Sequence, residues 1–289
     1  RAVPEDKYCG LPDASELATG PLDMDLTGEP EISAETLESE SLAAEAAALA
    51  VKGIKTVAGC GASWNRSSRW VAASNGFAAY KTGTSTSLGL ASVAEKDGAM
   101  ERDYESWSVR HTADRPSAEA IGRTAGERTI ARLGARKLET QKAAVLYDRR
   151  VSSGLLGALM SAISGPSIAR GVSFLKDSMD TQVFARGVNV IDDPFRHLGM
   201  GSRSHDGEGL PVKETHLIED GRLTEWLLNS PSARQLGLKP NGFSALGFGD
   251  PPGVTTSNLY LQAGEKTPAE LMAQAGKGLL VTDMFGPRT

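Results

Sequence analysis

Trp70-Val71-Ala72-Ala73-Ser74-Asn75-Gly76-Phe77-Ala78-Ala79-Tyr80-Lys81 is the stretch that sets the fold class. Two runs suited to strands flank Asn75-Gly76, a pair that tolerates the positive φ angles of a two-residue type I′ turn, so a β-hairpin is predicted. Outward from it, Lys96-Asp97-Gly98 predicts a second turn joining Ser85–Ala94 to Ala99–Val109, which makes Ile54 to Arg110 a β region. Its strands are rich in Ser, Thr, Gly and Ala. Small side chains allow close backbone approach but bury little area each, so these sheets are expected to lean on a partner surface. Asp220-Gly221 predicts a third hairpin, between Leu210–Glu219 and Arg222–Asn229, with Val212, His216 and Ile218 alternating along one strand.

Helices are predicted around these strands. Ser33 opens one in which Leu37, Leu42, Ala46, Leu49 and Ala50 fall near helical spacing, with Gly53 as its stop. Pro116-Ser117 opens another, with Ile121, Ala125, Ile130 and Leu133 inward and Gly134 at its end. Ala143–Tyr147 reads as a short apolar strand, and Ser152–Ile163 as an apolar helix buried on most sides. Ser230-Pro231 starts a short helix that Gly237 ends, and Thr267-Pro268-Ala269-Glu270 is a capping box before Gly276 and an apolar strand at Leu279–Met284. Residues 1–32 read as an extended lead-in. The polar run Arg136 to Lys142 divides 1–137 from 138–289, and the sum is α+β, with antiparallel sheets and packed helices in two domains.

Composition narrows the function classes. The 289 residues carry 31 Lys+Arg against 36 Asp+Glu, a net charge of −5, and the longest basic cluster is Arg149-Arg150. A nucleic-acid partner is not expected from that balance. Cys9 and Cys60 are the only cysteines and lie far apart, so neither a disulfide scaffold nor a cysteine zinc site is supported. No apolar run is long enough for a membrane helix, and Arg1 to Gly10 lacks signal-peptide order, so a soluble, cytoplasmic protein is expected. The missing initiator Met points to a larger parent protein.

His205-Asp206-Gly207-Glu208, with His216, is the one cluster dense enough to suggest a metal. The competing reading is a polar turn whose carboxylates cap backbone N–H groups. His111 is expected to be solvated at a strand end, and His216 half-buried on a strand. Ser202 and Ser204 neighbour His205 only in sequence, and no Gly-x-Ser-x-Gly elbow is present. Gly247-Phe248-Gly249-Asp250-Pro251-Pro252-Gly253 lacks the Lys-Ser/Thr of a P-loop and reads as a mobile loop. Trp64, Trp70, Trp107 and Trp226 read as core or interface anchors.

Several segments, taken in order, carry a resemblance. They are Glu45-Ala46-Ala47-Ala48-Leu49-Ala50 with Lys52-Gly53-Ile54, then Ala73-Ser74-Asn75-Gly76-Phe77, Met100-Glu101-Arg102-Asp103-Tyr104 and Ala162-Ile163-Ser164-Gly165. Ser173-Phe174-Leu175-Lys176-Asp177, Asp206-Gly207-Glu208-Gly209, Ser232-Ala233-Arg234-Gln235-Leu236-Gly237 and Gly278-Leu279-Leu280-Val281-Thr282 follow. Together they resemble the PmbA (TldE) branch of the TldD/PmbA metalloprotease family over roughly residues 1 to 286. That resemblance implies the family's central and C-terminal domains, with its N-terminal domain and the end of its C-terminal domain absent. It also implies a cytosolic two-subunit protease in which a TldD-type subunit carries zinc and a PmbA-type subunit completes the assembly. Such proteases are associated with cleaving unfolded peptides, maturing microcin-type antibiotics and degrading antitoxins, and an older name is modulator of DNA gyrase.

In the zinc-bearing branch, His-Glu-x-x-x-His precedes a Gly-Leu-x-Gly turn. Here that turn is Gly154-Leu155-Leu156-Gly157, which puts Asp148 and Ser153 at the two His positions and Arg149 at the Glu. Ser is a poor zinc ligand, and Arg is neither ligand nor base. An arginine about 6 Å from a dication costs about 5 kcal/mol at an effective dielectric of about 20. The expectation is a chain with no catalytic residue, metal or cofactor of its own. It would bind a TldD-like paralogue and an unfolded peptide; the alternative is a stand-alone homodimeric regulatory or peptide-binding protein.

Overall fold

The computed structural model describes residues 5–21, 23–247, 249 and 251–284. Part of the lead-in, Phe248 and Asp250 of the Gly-rich stretch, and the last five residues lie outside the described residues. The first half contains β1 (Met24–Leu26), α1 (Ala34–Leu49), β2 (Ile54–Ala72), β3 (Ala78–Lys96), β4 (Ala99–Val109) and α2 (Ala118–Ala131). β3 is the centre of its sheet, paired antiparallel to β2 on one edge and to β4 on the other. Where β4 ends, at the Thr86–Val109 pair, β1 takes over that edge and runs parallel to Lys81–Gly83.

Turn chemistry explains both hairpins. Asp97 (φ 52°) and Gly98 (φ 79°) are both left-handed between the paired Lys96 and Ala99, as a type I′ turn requires. The Asn75-Gly76 expectation needs correcting, because only Gly76 has positive φ. The Gly76 N–H bonds the Ala73 carbonyl and the Ala73 N–H bonds the Phe77 carbonyl, which makes a three-residue loop with a left-handed glycine closing it. Asn75 is occupied elsewhere: its Oδ1 accepts from the Phe77 N–H and its Nδ2 donates to the Pro12 carbonyl.

Along β3 burial alternates with period two, so Thr84, Thr86, Leu88, Leu90, Ser92 and Ala94 face inward. α1 and α2 cover that face. Ser33 and Ser117 cap their N-termini as expected. The inward face of α1 differs from the expectation, since Ala44 and Ala48 are buried while Leu42 and Leu49 are exposed. The reason is distance: Gly122 sits so close to the Ala44 carbonyl that a methyl group there would collide with it, and only small residues fit that crossing. Trp70 is likewise no core anchor; it is 78 % exposed and stacks on Tyr80 at 4.2 Å.

The second half contains β5 (Ala144–Tyr147), α3 (Arg149–Ala162), α4 (Gly165–Ala169), β6 (Val190–Asp192), β7 (Thr215–Glu219), β8 (Arg222–Leu223), α5 (Ser230–Leu236), β9 (Ser244–Ala245), β10 (Gly253–Val254), β11 (Leu259–Leu261), α6 (Pro268–Ala275) and β12 (Gly278–Val281). Its main sheet runs β11-β6-β7-β8 and lies over a core that includes Leu159, Ile163, Leu217, Ile218, Leu227 and Phe243. Asp220 (φ 46°) and Gly221 (φ 79°) form the expected type I′ turn, although the ladder pairs only Ile218 with Leu223 and Glu219 with Arg222. The capping box at Thr267 and Glu270 is present.

Two further differences follow from long-range packing. β5 and β12 pair in parallel, as do β1 and β3, so the sheets are not all antiparallel. α3 begins at Arg149 and buries one side only, through Val151, Leu159 and Ala162, leaving Leu155 exposed.

The two halves interlock. Buried Phe77, at the β2–β3 tip, packs edge-on to His205 at 4.8 Å and lies against Gly209. Buried Arg110 donates to the carbonyls of Leu26, Thr84, Gly199 and Met200, pinning β1 and β3 to the loop after β6.

Candidate functional site

The first candidate is the turn that opens α3. Asp148 is its N-cap: the carboxylate accepts from the Arg150 N–H at 2.9 Å, satisfying a donor that the helix leaves free. The Arg149 guanidinium lies 4.5 Å from the Trp107 ring centroid, a cation–π contact on β4. Arg150 binds Asp103 through both terminal nitrogens and also donates to the Tyr104 and Thr282 carbonyls. Burial pushes the Asp103 carboxyl up, but hydrogen bonds from Arg150, the Tyr104 N–H and Arg132 outweigh it and hold the group below its ordinary value. Ser153 is exposed one turn further on. The donors at this turn do not fit a catalytic zinc ion. The one carboxylate of this turn caps the helix, serine is a poor zinc ligand, and Arg149 and Arg150 add two cations beside it.

The second candidate is the turn at His205. Its carboxylates bind backbone rather than converging on a common point. Asp206 Oδ1 accepts from the Glu208 and Leu210 N–H groups, and Oδ2 accepts from the Ser244 N–H at 3.0 Å. Glu208 accepts from the Ser230 N–H at 2.9 Å, at the start of α5. Burial pushes the Asp206 carboxyl up to about 6, against the pull of these three N–H bonds and with help from the Glu208 charge. His205 Nδ1 is 2.7 Å from its neighbour's carbonyl, Asp206 O. Burial, together with the Lys81, Arg203 and Arg69 charges, holds its imidazole below the usual value despite that contact, so the ring is neutral at pH 7.

The remaining candidates stay apart. Ser202 donates to the Arg196 carbonyl at 2.6 Å and accepts from Asn258, so it is not aimed at His205. His216 lies half-buried on β7 and His111 accepts from the Ala113 N–H, 3.5 Å from Glu29. Among the described residues, no three His, Cys, Asp or Glu side chains come together to hold a metal ion, and both cysteines are free. No helix among them is long and apolar enough to cross a membrane.

Sequence reasoning missed three cations. Arg110 and Arg203 work through carbonyl oxygens, the latter binding those of Gly242 and Thr255. Arg234 clamps the lead-in through the carbonyls of Tyr8, Gly10 and Leu11. Backbone acceptors leave no complementary charge in the sequence to signal them. Arg234 alone stood inside a segment already singled out by resemblance.

Comparison with known proteins agrees with this architecture. Residues 28–133 match the PmbA/TldA metallopeptidase central domain and residues 140–289 its C-terminal domain. The chain is 33 % identical to the metalloprotease PmbA of Escherichia coli O157:H7 over 288 residues, 99 % of this chain and 62 % of that protein. It is 28 % identical to the PmbA homologue of Haemophilus influenzae, covering 97 % of this chain and 61 % of the relative. The chain thus spans less than two thirds of the length of these relatives. Its fold superposes on a Bacteroides thetaiotaomicron protein described as a modulator of DNA gyrase with a TM-score of 0.85, at 23 % identity over 98 % of this chain and 63 % of that one. TldE from Thermococcus kodakarensis follows with a TM-score of 0.83, at 18 % identity over 99 % of this chain and 64 % of that one. With both domain matches in chain order on one α+β fold, the chain belongs to the PmbA/TldD family of metallopeptidases.

Proposed function

We propose that the chain is part of a metal-free, PmbA-type subunit of a cytoplasmic TldD/PmbA protease, one that contributes partner and substrate binding while a TldD-like paralogue supplies the zinc. The reading divides the chain into a central domain (1–137) and a C-terminal domain (138–289). The observation that carries it is the turn before α3. Asp148, Arg149 and Ser153, which the resemblance sets against the family's zinc motif, act as a helix cap, a cation on Trp107 and an exposed hydroxyl. A capping carboxylate and a stacked guanidinium stabilise the helix start, which is a structural use for positions that catalysis would otherwise claim.

The sheet supports a binding role. α1 and α2 cover one face of β2–β3–β4, and the opposite face presents small polar residues such as Ser63, Ser85 and Ser87 at intermediate exposure. A surface of small side chains accepts a partner backbone closely, and an extended peptide can add to a strand edge through main-chain hydrogen bonds whatever its sequence. Hydrolysis of an unfolded casein-like peptide by the full-length protein, alone and mixed with a TldD-like paralogue, tests the proposal. The expected result is no cleavage alone and cleavage in the mixture at a one-to-one ratio. Cleavage by the purified protein alone, or a paralogue whose rate ignores it, overturns the reading.

A further inference from the structure

A cleft of about 220 Å³ opens between the β2–β3 hairpin and the segments around 203–207 and 244–246. Its charge is unbalanced. Arg69, Lys81 and Arg203 line it, and the one carboxylate in the lining is Asp206, whose two oxygens already accept three backbone N–H groups. Arg69 and Lys81 are directly paired across β2 and β3, an arrangement in which like charges repel. Neither makes an ion pair among the described residues. Lys81 uses one of its three donors on the Ser202 carbonyl at 2.6 Å, which leaves two.

Two of the lining residues each carry an unmatched buried polar atom. Arg203 Nε and Ser244 Oγ have no hydrogen-bond partner among the described residues, although unmatched buried donors are costly. Burial, followed by the charges of Arg110, Arg203 and Arg69, lowers the Lys81 ammonium below its ordinary value. Val71, Ala79 and Leu246 supply apolar wall beside this charge. A bare inorganic ion would leave that wall unused. A small organic acid would use both parts.

We propose that this cleft is an oxyanion site and that it takes the terminal carboxylate of a peptide, with the last side chain against Val71, Ala79 and Leu246. The peptide as source rests on the function proposed above; the oxyanion chemistry does not. Inorganic phosphate offers the same chemistry from another source, and the test separates the two.

The experiment is calorimetric titration of the full-length protein with N-acetyl-alanyl-alanine, its C-terminal amide and inorganic phosphate, each paired with thermal melts. The free acid is expected to bind and raise Tm, the amide to do neither, and added salt to weaken the effect. The Arg69 side chain is exposed and makes no hydrogen bond among the described residues, so Arg69→Gln keeps the fold. It should weaken the acid about tenfold, as loss of one charge-assisted hydrogen bond does. The same variant should melt no lower than wild type in anion-poor buffer, because it removes the repulsion with Lys81. Lys81→Gln should weaken binding similarly. Phosphate binding without acid binding keeps the oxyanion site and removes the peptide as its source. Equal binding of acid and amide, no binding of any probe, or unchanged affinity in Arg69→Gln overturns the proposal. None of these outcomes involves zinc or the paralogue, so this inference and the proposed function fail separately.

Discussion

The core of residues 34–131 is Ala44, Ala48, Ala118, Ala125 and Ile121 laid against Leu88 and Leu90 of a long sheet. The core of the second half is leucine, isoleucine, valine and phenylalanine beneath strands of two to five residues. The first half buries little apolar area per residue and relies on backbone: strands of nineteen residues pair along nearly their whole length. The second half relies on side chains. Its irregular segments are tied down by polar groups, such as buried Asp192 on Ser257, half-buried Asn258 on Asp193, and buried Asp206 on three N–H groups. Regular pairing leaves an open face for binding, whereas irregular chain over a dense core can place separate cations around one cleft.

That contrast can be broken at chosen points. Phe243→Ala, at a fully buried ring of the second core, should cost about 4 kcal/mol in urea unfolding, more than any alanine-to-glycine change at Ala44 or Ala48. A cost below that of Ala48→Gly would contradict the division of labour. Asp103→Ala takes the paired carboxylate from Arg150 at the seam between β4 and α3, while Arg132 keeps Glu101 and Asp283, and should cost about 3 kcal/mol in the same assay. Gly122→Ala pushes α1 from α2 and should cost about 2 kcal/mol, although alanine ordinarily favours a helix. If it stabilised the protein instead, the tight crossing would be wrong.

A smaller effect sharpens the picture of the second half. The folded Asp206 carboxyl titrates near 6 against an ordinary value of 3.8, so between these values the native state holds more proton than the unfolded chain. Stability from this group is therefore present at low pH and lost as pH rises through about 6. Relative to Asp206→Asn, the wild type should lose stability across that window; a flat difference measured by denaturant titration would count against the raised value.

Much of this was legible from local chemistry. Asp97-Gly98 and Asp220-Gly221 announce their turns because both positions need positive φ, and the helix caps at Ser33, Ser117 and Thr267 follow from their side-chain oxygens. What escaped the sequence depends on distance. The large apolar residues Leu42 and Leu49 looked like the inward side of α1, but the close crossing with Gly122 selects alanine. The β5–β12 pairing joins residues 144–147 to 278–281, and nothing local reports it. The cations of the cleft come from β2, β3 and the loop after β6, each unremarkable in its own segment.

The proposed function stands or falls on the turn that opens α3 being a structural cap rather than a metal site. Zinc content of the purified full-length protein, dialysed against trace zinc and measured by mass spectrometry, tests it most directly. No stoichiometric zinc is expected, and no change in that result for Asp148→Asn, which keeps a capping oxygen and should lower stability by about 0.5 kcal/mol through the charge lost at the helix N-terminus. One tightly held zinc per chain, lost in Asp148→Asn, would contradict it.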